Sequence, residues 1–100
     1  MNDYRDFMME HVRLAVLRLL DAQPTYSAND SVLNMAVGGL GLSCTRDQMR
    51  GQLAWLAEMR LVTLLQPVAG LTVATLTERG ADVANGRATV PGVQRPSPKG

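Results

Sequence analysis

Apolar residues recur at helical spacing in the first part of the chain. Between Asp3 and Asp21 one broad face is apolar, so the pattern predicts a helix that ends before Pro24. The apolar face comprises Met8, Val12, Ala15, Val16 and Leu19. Leu14 and Leu17 project from the other side of this helix. Either a late helix of the same chain or a second subunit must cover them, and the sequence leaves that choice open.

A second helix is predicted from about Ala28 to Val37. Ser27 precedes it and is followed three residues later by Asp30, a pattern that satisfies the free backbone N–H groups at a helix start. The glycine-rich run 38–41 then ends the helix. Glycine loops of this kind also approach phosphates, but no Lys-Ser or Lys-Thr pair follows, so a helix stop and turn is the better interpretation.

The third helix has the clearest start signal. Thr45 and Gln48 are a residue pair that can exchange hydrogen bonds with each other's backbone N–H in a capping box. Apolar residues follow at helical spacing and form one stripe that faces the core, comprising Met49, Leu53 and Leu56. The outward face is small and mixed in charge, and it comprises Asp47, Arg50, Gly51, Ala54 and Glu58.

Two short runs rich in β-branched residues come next, at 61–65 and 71–76. Pro67 and Gly70 lie between them, so the pattern predicts a hairpin. Thr77 then caps a last helix over 78–84, which Gly86 stops. Three helices, two strands and a final helix make an α+β winged helix-turn-helix, which we predict for residues 1–86.

The remaining residues, 87–100, form an extended, proline-rich and basic tail. Its sequence lacks helical or strand periodicity. Arg87, Arg95 and Lys99 make it a candidate arm that contacts DNA along the minor groove or the backbone. A disordered end and a strap over a partner subunit are equally open alternatives.

Composition narrows the functional classes. One hundred residues with 46% hydrophobic content suit a single domain, and a formal charge of +1 does not by itself argue for a nucleic-acid partner. The single cysteine, Cys44, excludes an internal disulfide and a multi-cysteine metal site, so we expect a reducing compartment, the cytoplasm. No signal peptide or membrane-spanning segment is recognisable, so no membrane partner is expected.

Catalysis has little support in the sequence. His11 is the single histidine, and the sequence shows no carboxylate or nucleophile arranged around it, so we do not expect an enzyme, a cofactor or a bound metal. Cys44 precedes the third helix, whose N-terminus would favour a thiolate suited to redox sensing. A small residue in a turn is the commoner explanation.

Several runs of residues resemble known families. The runs 46–50, 53–58, 61–64 and 76–80 resemble the winged-helix core of ArsR/MarR-type bacterial regulators, which usually have Gly where this chain has Arg60. The whole chain, including Val90-Pro91-Gly92-Val93 and the run 95–98, resembles small winged-helix proteins of Mu-like phages and prophages. The resemblance implies a third helix that reads the major groove of double-stranded DNA. Its implied DNA contacts are Thr45, Arg46, Gln48, Arg50 and Gln52.

Two functional hypotheses follow. One is a phage-encoded transcriptional regulator, a homodimer whose interface is completed by Leu14 and Leu17 or by the tail. The other is an adaptor that binds a phage or host protein in phage gene control or DNA packaging. Trp55 lies beside the apolar stripe of the third helix, where packing against the hairpin or last helix is expected and a partner contact is the alternative.

Overall fold

A computed structural model describes residues 3–97, and over this range the chain forms four helices and a three-stranded antiparallel sheet. In chain order the elements are α1 (Asp3–Asp21), β1 (Ser27–Asn29), α2 (Asp30–Gly39), α3 (Arg46–Glu58), β2 (Val62–Val68), β3 (Leu71–Leu76) and α4 (Glu78–Ala84). The predicted bounds of α1, β3 and α4 are confirmed. Within the described range, no helix is long and apolar enough to span a bilayer.

The core contains buried side chains from all four helices, from the sheet and from the segment after α4. The predicted stripe of α3 is confirmed, because its three apolar side chains are fully buried. Leu14 and Leu17 are also buried, with 7% and 0% of their surfaces exposed, and α1 packs against α4. The chain itself therefore covers both leucines, and their assignment to a subunit interface was wrong.

The start of α2 differs from the prediction. Ser27–Asn29 is a strand, β1, which pairs with β3 and gives the sheet the order β1-β3-β2. Asn29, and not Ser27, caps α2, because its Oδ1 accepts a 2.8 Å hydrogen bond from the Val32 backbone N–H. The Ser27 hydroxyl instead lies 2.7 Å from the hydroxyl of Thr75 on β3. Both residue types can cap a helix, and pairing with β3 decides which one does.

The wing is the hairpin of β2 and β3. Instead of ending near residue 65, β2 continues to Val68 through Pro67, and a two-residue turn with positive φ at Gly70 joins it to β3. The register is irregular between Leu65 and Val68. Proline fits here because β2 is an edge strand with no neighbour on its outer side.

The residues after α4 are folded onto the domain. Val90 and Val93 are buried in the core with 4% and 7% exposure. The Gln94 backbone N–H donates a 3.2 Å hydrogen bond to the Glu10 carbonyl of α1. Residues 90–94 are therefore an integral strap on this subunit's own core, and neither a disordered end nor a strap over a partner. Lys99 lies outside the described residues.

The turn from α3 into β2 contains a left-handed residue. Arg60 has a φ of 63°, while its N–H donates to the Ala57 carbonyl and the Leu61 N–H donates to the Leu56 carbonyl. These two bonds form a Schellman motif, in which glycine is the favoured residue at the left-handed position. The glycine typical of the resembling regulators therefore has a geometric reason, and this chain makes the same turn with arginine.

Arg60→Gly is expected to stabilise the domain by about 0.5–1 kcal/mol, because glycine adopts a positive φ without the clash of a Cβ. Chemical denaturation of both proteins measures the difference. Arg60→Ala is the control, since it removes the same charged side chain but keeps the Cβ. Equal stability of the glycine and alanine variants would contradict the assignment of strain to this turn.

Candidate nucleic-acid interface

The first turn of α3 is fixed by its capping box, as predicted. The Gln48 N–H donates to Thr45 Oγ1 at 3.0 Å, and the Thr45 N–H donates to Gln48 Oε1 at 2.8 Å. Both side chains are therefore engaged with the backbone at the helix start. Gln48 keeps its amide NH₂ group to donate to another molecule.

Arg46 and Arg50 share one buried carboxylate. Asp30, the first residue of α2, has no exposed surface and is the one charged side chain found buried among the described residues. Arg50 Nε donates to Asp30 Oδ2 at 2.9 Å, and Arg46 Nη2 lies 3.5 Å from Oδ1. The two arginines predicted to contact DNA therefore lie together, because both guanidinium groups contact the first residue of α2.

The same arginines are tied to the wing turn. Arg50 Nη2 donates to the carbonyl oxygen of Gly70 at 2.9 Å, and Arg46 Nη2 lies 3.4 Å from the same oxygen. The side chains of Arg46 and Arg50 remain 46% and 40% exposed. We call this pair of side chains the arginine clamp; it bridges α2, α3 and the wing and presents its remaining N–H donors to solvent.

The environment of Asp30 keeps its carboxyl ionised. Burial by itself raises the pKa, but a hydrogen bond from Arg50, one from the Thr72 backbone and the positive charges of the arginine clamp outweigh it. The pKa of Asp30 therefore lies below its ordinary value of 3.8. The carboxylate is a fixed negative charge beneath two partly exposed cations.

The surface of α3 that faces away from the core is small and acidic. Asp47, Gly51, Ala54 and Glu58 are exposed along this surface, and Arg46 and Gln48 are exposed beside them at the start of the helix. The Asp47 side chain is 95% exposed and lies 3.8 Å from Arg50 Nη1. Arg50, predicted to face outward, instead leans towards the wing, because Asp30 and Gly70 both accept its N–H groups. The cations therefore flank this surface and do not lie at its centre.

The opposite flank of α3 is occupied by α1 and the strap. Gln52 Oε1 accepts a 2.6 Å hydrogen bond from Arg13 Nε, so this predicted DNA contact is engaged inside the protein. Arg13 also lies 4.2 Å above the ring of Trp55 and donates to the Gly92 carbonyl at 2.8 Å. Trp55 packs against Arg13 and Gly92, and it is one of the partly buried side chains that lie against the core.

The remaining predicted residues lie apart from the arginine clamp. Arg87 forms an ion pair with Asp82 at 3.0 Å, and Arg95 is exposed directly after the strap of residues 90–94. Cys44 donates to Asn34 Oδ1, and burial raises the pKa of its thiol, the opposite of what a redox-sensing thiolate needs. Among the described residues, no group of three or more His, Cys, Asp and Glu side chains could hold a metal ion.

Asp30 and the Gly70 carbonyl were missed by sequence reasoning. Asp30 was interpreted as the acidic residue of a helix-start pattern, and nothing in its local sequence indicates that it meets α3. The Gly70 carbonyl is a backbone group in a wing that carries no Lys or Arg in its turn. Only tertiary packing of α2, α3 and the wing brings these groups to the two arginines.

Comparison with known proteins places the chain among phage proteins. It is 46% identical over 95 residues to the uncharacterized protein gp26 of Escherichia phage Mu, an alignment that covers 94% of this chain and 96% of gp26. It is 34% identical over 76 residues to an uncharacterized protein of Haemophilus influenzae, covering 76% of this chain and 74% of that protein. No family model matches the chain.

A solved structure shares the fold. The complex structure of hsRosR-S1 superposes with a TM-score of 0.63 at 15% sequence identity. The alignment covers 73% of this chain and 63% of that one, so this chain spans less than two thirds of its length. The likeness confirms the predicted winged helix-turn-helix fold.

Proposed function

We propose that this chain, which belongs to the family of gp26 of Escherichia phage Mu, is a winged-helix transcriptional regulator of the ArsR/MarR-like kind that binds double-stranded DNA. The observation that carries the proposal is the arginine clamp, two partly exposed cations fixed between α3 and the wing. It is a cytoplasmic binding protein and not an enzyme.

The fold defines how a duplex would meet this surface. In helix-turn-helix proteins the recognition helix enters the major groove with its N-terminal residues towards the bases. Thr45 and Gln48 are exposed at that end of α3, and the small side chains of Gly51 and Ala54 allow close approach to the groove floor. The wing then lies beside the sugar-phosphate backbone that borders the groove, which places the arginine clamp next to phosphates.

A homodimer is part of this proposal, because paired recognition helices read two half-sites about one turn of DNA apart. Leu14 and Leu17 are buried within the chain, so a dimer would use other surfaces. Phe7 on α1 and Leu40 after α2 are large apolar side chains that remain 51% and 60% exposed.

A second candidate function is the adaptor that binds a phage or host protein. Its support is the outward face of α3, where Asp47 and Glu58 repel phosphates, and the apolar surface of the wing. Leu65 and Val68 on β2 are 68% and 59% exposed. A protein partner would tolerate both features more readily than a duplex would.

Fluorescence anisotropy with labelled duplexes distinguishes the two functions. We expect binding to duplexes tiled from the protein's own gene neighbourhood that survives random-sequence competitor and weakens steeply as salt rises. The double variant Arg46→Ala, Arg50→Ala should weaken binding by roughly tenfold or more. Arg18→Ala on α1 is the matched control for loss of an exposed arginine. Absence of binding, or equal loss with the control, would favour the adaptor.

A further inference from the structure

We infer that Asp30 is a positioning residue for DNA binding, which fixes the arginine clamp and the wing turn as one site for a backbone phosphate. The inference rests on the proposed function and deepens it. It assigns a role to a carboxylate that has the wrong charge to contact DNA itself. It also assigns Arg46 and Arg50 to phosphate in place of base edges.

The contacts of Asp30 engage both of its carboxylate oxygens. Oδ1 accepts the Ser31 backbone N–H at 2.9 Å and faces Arg46, while Oδ2 accepts Arg50 Nε at 2.9 Å. The carboxylate is at the first residue of α2, where the helix dipole favours a negative charge. The Asp30 carboxylate, bonded through both oxygens, therefore fixes the positions of the two guanidinium groups that contact it.

The free donors of the arginine clamp suit a phosphate. Arg50 uses Nε and Nη2 within the protein and holds Nη1 3.8 Å from the exposed Asp47 carboxylate, and Arg46 makes two longer contacts through Nη2. The guanidinium groups therefore keep N–H donors directed to solvent, and forked donors match phosphate oxygens. Two cations over one buried carboxylate carry a net charge of +1, which the exposed Asp47 carboxylate, 3.8 Å from Arg50 Nη1, offsets only in part because solvent screens it.

The position of the clamp favours phosphate over base edges. Both guanidinium groups reach the Gly70 carbonyl of the wing through Nη2, at the side of α3 and not over the centre of its outward face. A duplex that receives α3 in its major groove passes its backbone between that helix and the wing. Holding the arginines there before binding also lowers the loss of side-chain freedom on binding.

The test compares two substitutions that remove the same charge. Asp30→Asn removes the buried carboxylate, and Asp47→Asn removes the exposed one that lies near Arg50 but does not contact the wing. Each variant is titrated by anisotropy with a random-sequence duplex over a series of salt concentrations. Circular dichroism and thermal melting confirm that each variant is folded at the temperature of the titration.

Opposite effects on affinity are expected. The Asp30→Asn variant should bind DNA roughly fivefold to tenfold more weakly than the wild type. The slope of log affinity against log salt concentration should also become smaller, by the amount that about one phosphate contact contributes. Asp47→Asn should bind as tightly as the wild type or up to about threefold more tightly, because a repelling charge is gone. If Asp30→Asn also tightens binding, the carboxylate acts only as a repelling charge and the inference is overturned.

Two further measurements separate the possible failures. Arg50→Lys keeps the charge but cannot hold Asp30 and Gly70 together, so it should also weaken binding severalfold; wild-type affinity in this variant would overturn the inference. Exchange of the Arg50 Nε–H, followed by NMR without DNA, should be slow in the wild type and fast in Asp30→Asn. A wild-type protein that binds no duplex at all overturns the proposed function itself, whatever the variants do.

Discussion

Gly80→Ala is expected to destabilise the domain by about 3 kcal/mol, which corresponds to a fall in Tm on the order of 15 °C. Gly80 is buried in the first turn of α4, and a Cβ added there would collide with the backbone carbonyl oxygen of Leu61 and lie 2.7 Å from Leu76 Cδ1. The carbonyl belongs to the rigid turn between α3 and β2. The cost is therefore backbone displacement, which a rotamer change cannot relieve.

The contacts around Gly80 explain why this turn cannot move. Thr77 Oγ1 accepts the Gly80 N–H at 3.0 Å and lies 3.0 Å from the Leu61 carbonyl oxygen, to which the Thr77 N–H also donates. The cap of α4 is thus bonded to the turn between α3 and β2. A shift that makes room for a Cβ breaks these hydrogen bonds as well.

Gly51→Ala on α3 is the matched control for this prediction. Gly51 is also a helical glycine, but an added Cβ would meet nothing within 4 Å. The same substitution should therefore stabilise the domain by about 0.5–1 kcal/mol through helix propensity. Thermal melting of the two variants is expected to give shifts of opposite sign, and a small loss at residue 80 would refute the tight approach of α4 to Leu61.

Sequence reasoning succeeded where the signal is local. The helical period of α1, the capping box of Thr45 and Gln48, and the caps of α4 all depend on residues within one or two turns of each other. Such patterns fix the bounds of an element because the interactions that end it are encoded beside it. The element order and the winged-helix fold followed from them.

Sequence reasoning failed where contacts with residues distant in the sequence determine the structure of a segment. β1 has only three residues and exists because β3 offers it an edge, so no periodicity could predict it. The strap has the composition of a free tail, yet Val90 and Val93 complete the core. The candidate site was predicted in part for the same reason: the arginines are recognisable by position on α3, but their partners lie on α2 and the wing.

Removal of residues 89–100 is expected to cost about 3–5 kcal/mol, the other large effect. The truncation withdraws two buried valines, and full burial of such a side chain contributes about 1.5–3 kcal/mol. It also uncovers the ring of Trp55, against which Gly92 packs. Chemical denaturation should show the loss of stability. The emission of Trp55, the single tryptophan, should shift to longer wavelength in the folded truncated protein.

Two full-length variants separate the strap from a DNA-binding arm. Val90→Ala with Val93→Ala should reproduce most of the stability loss, because it empties the same core positions while keeping every charge of the tail. Arg95→Ala removes an exposed cation and should leave stability unchanged. A truncated protein with wild-type stability and Trp55 emission would show that these residues do not act as a strap. In that case, weaker DNA binding by Arg95→Ala would support the arm.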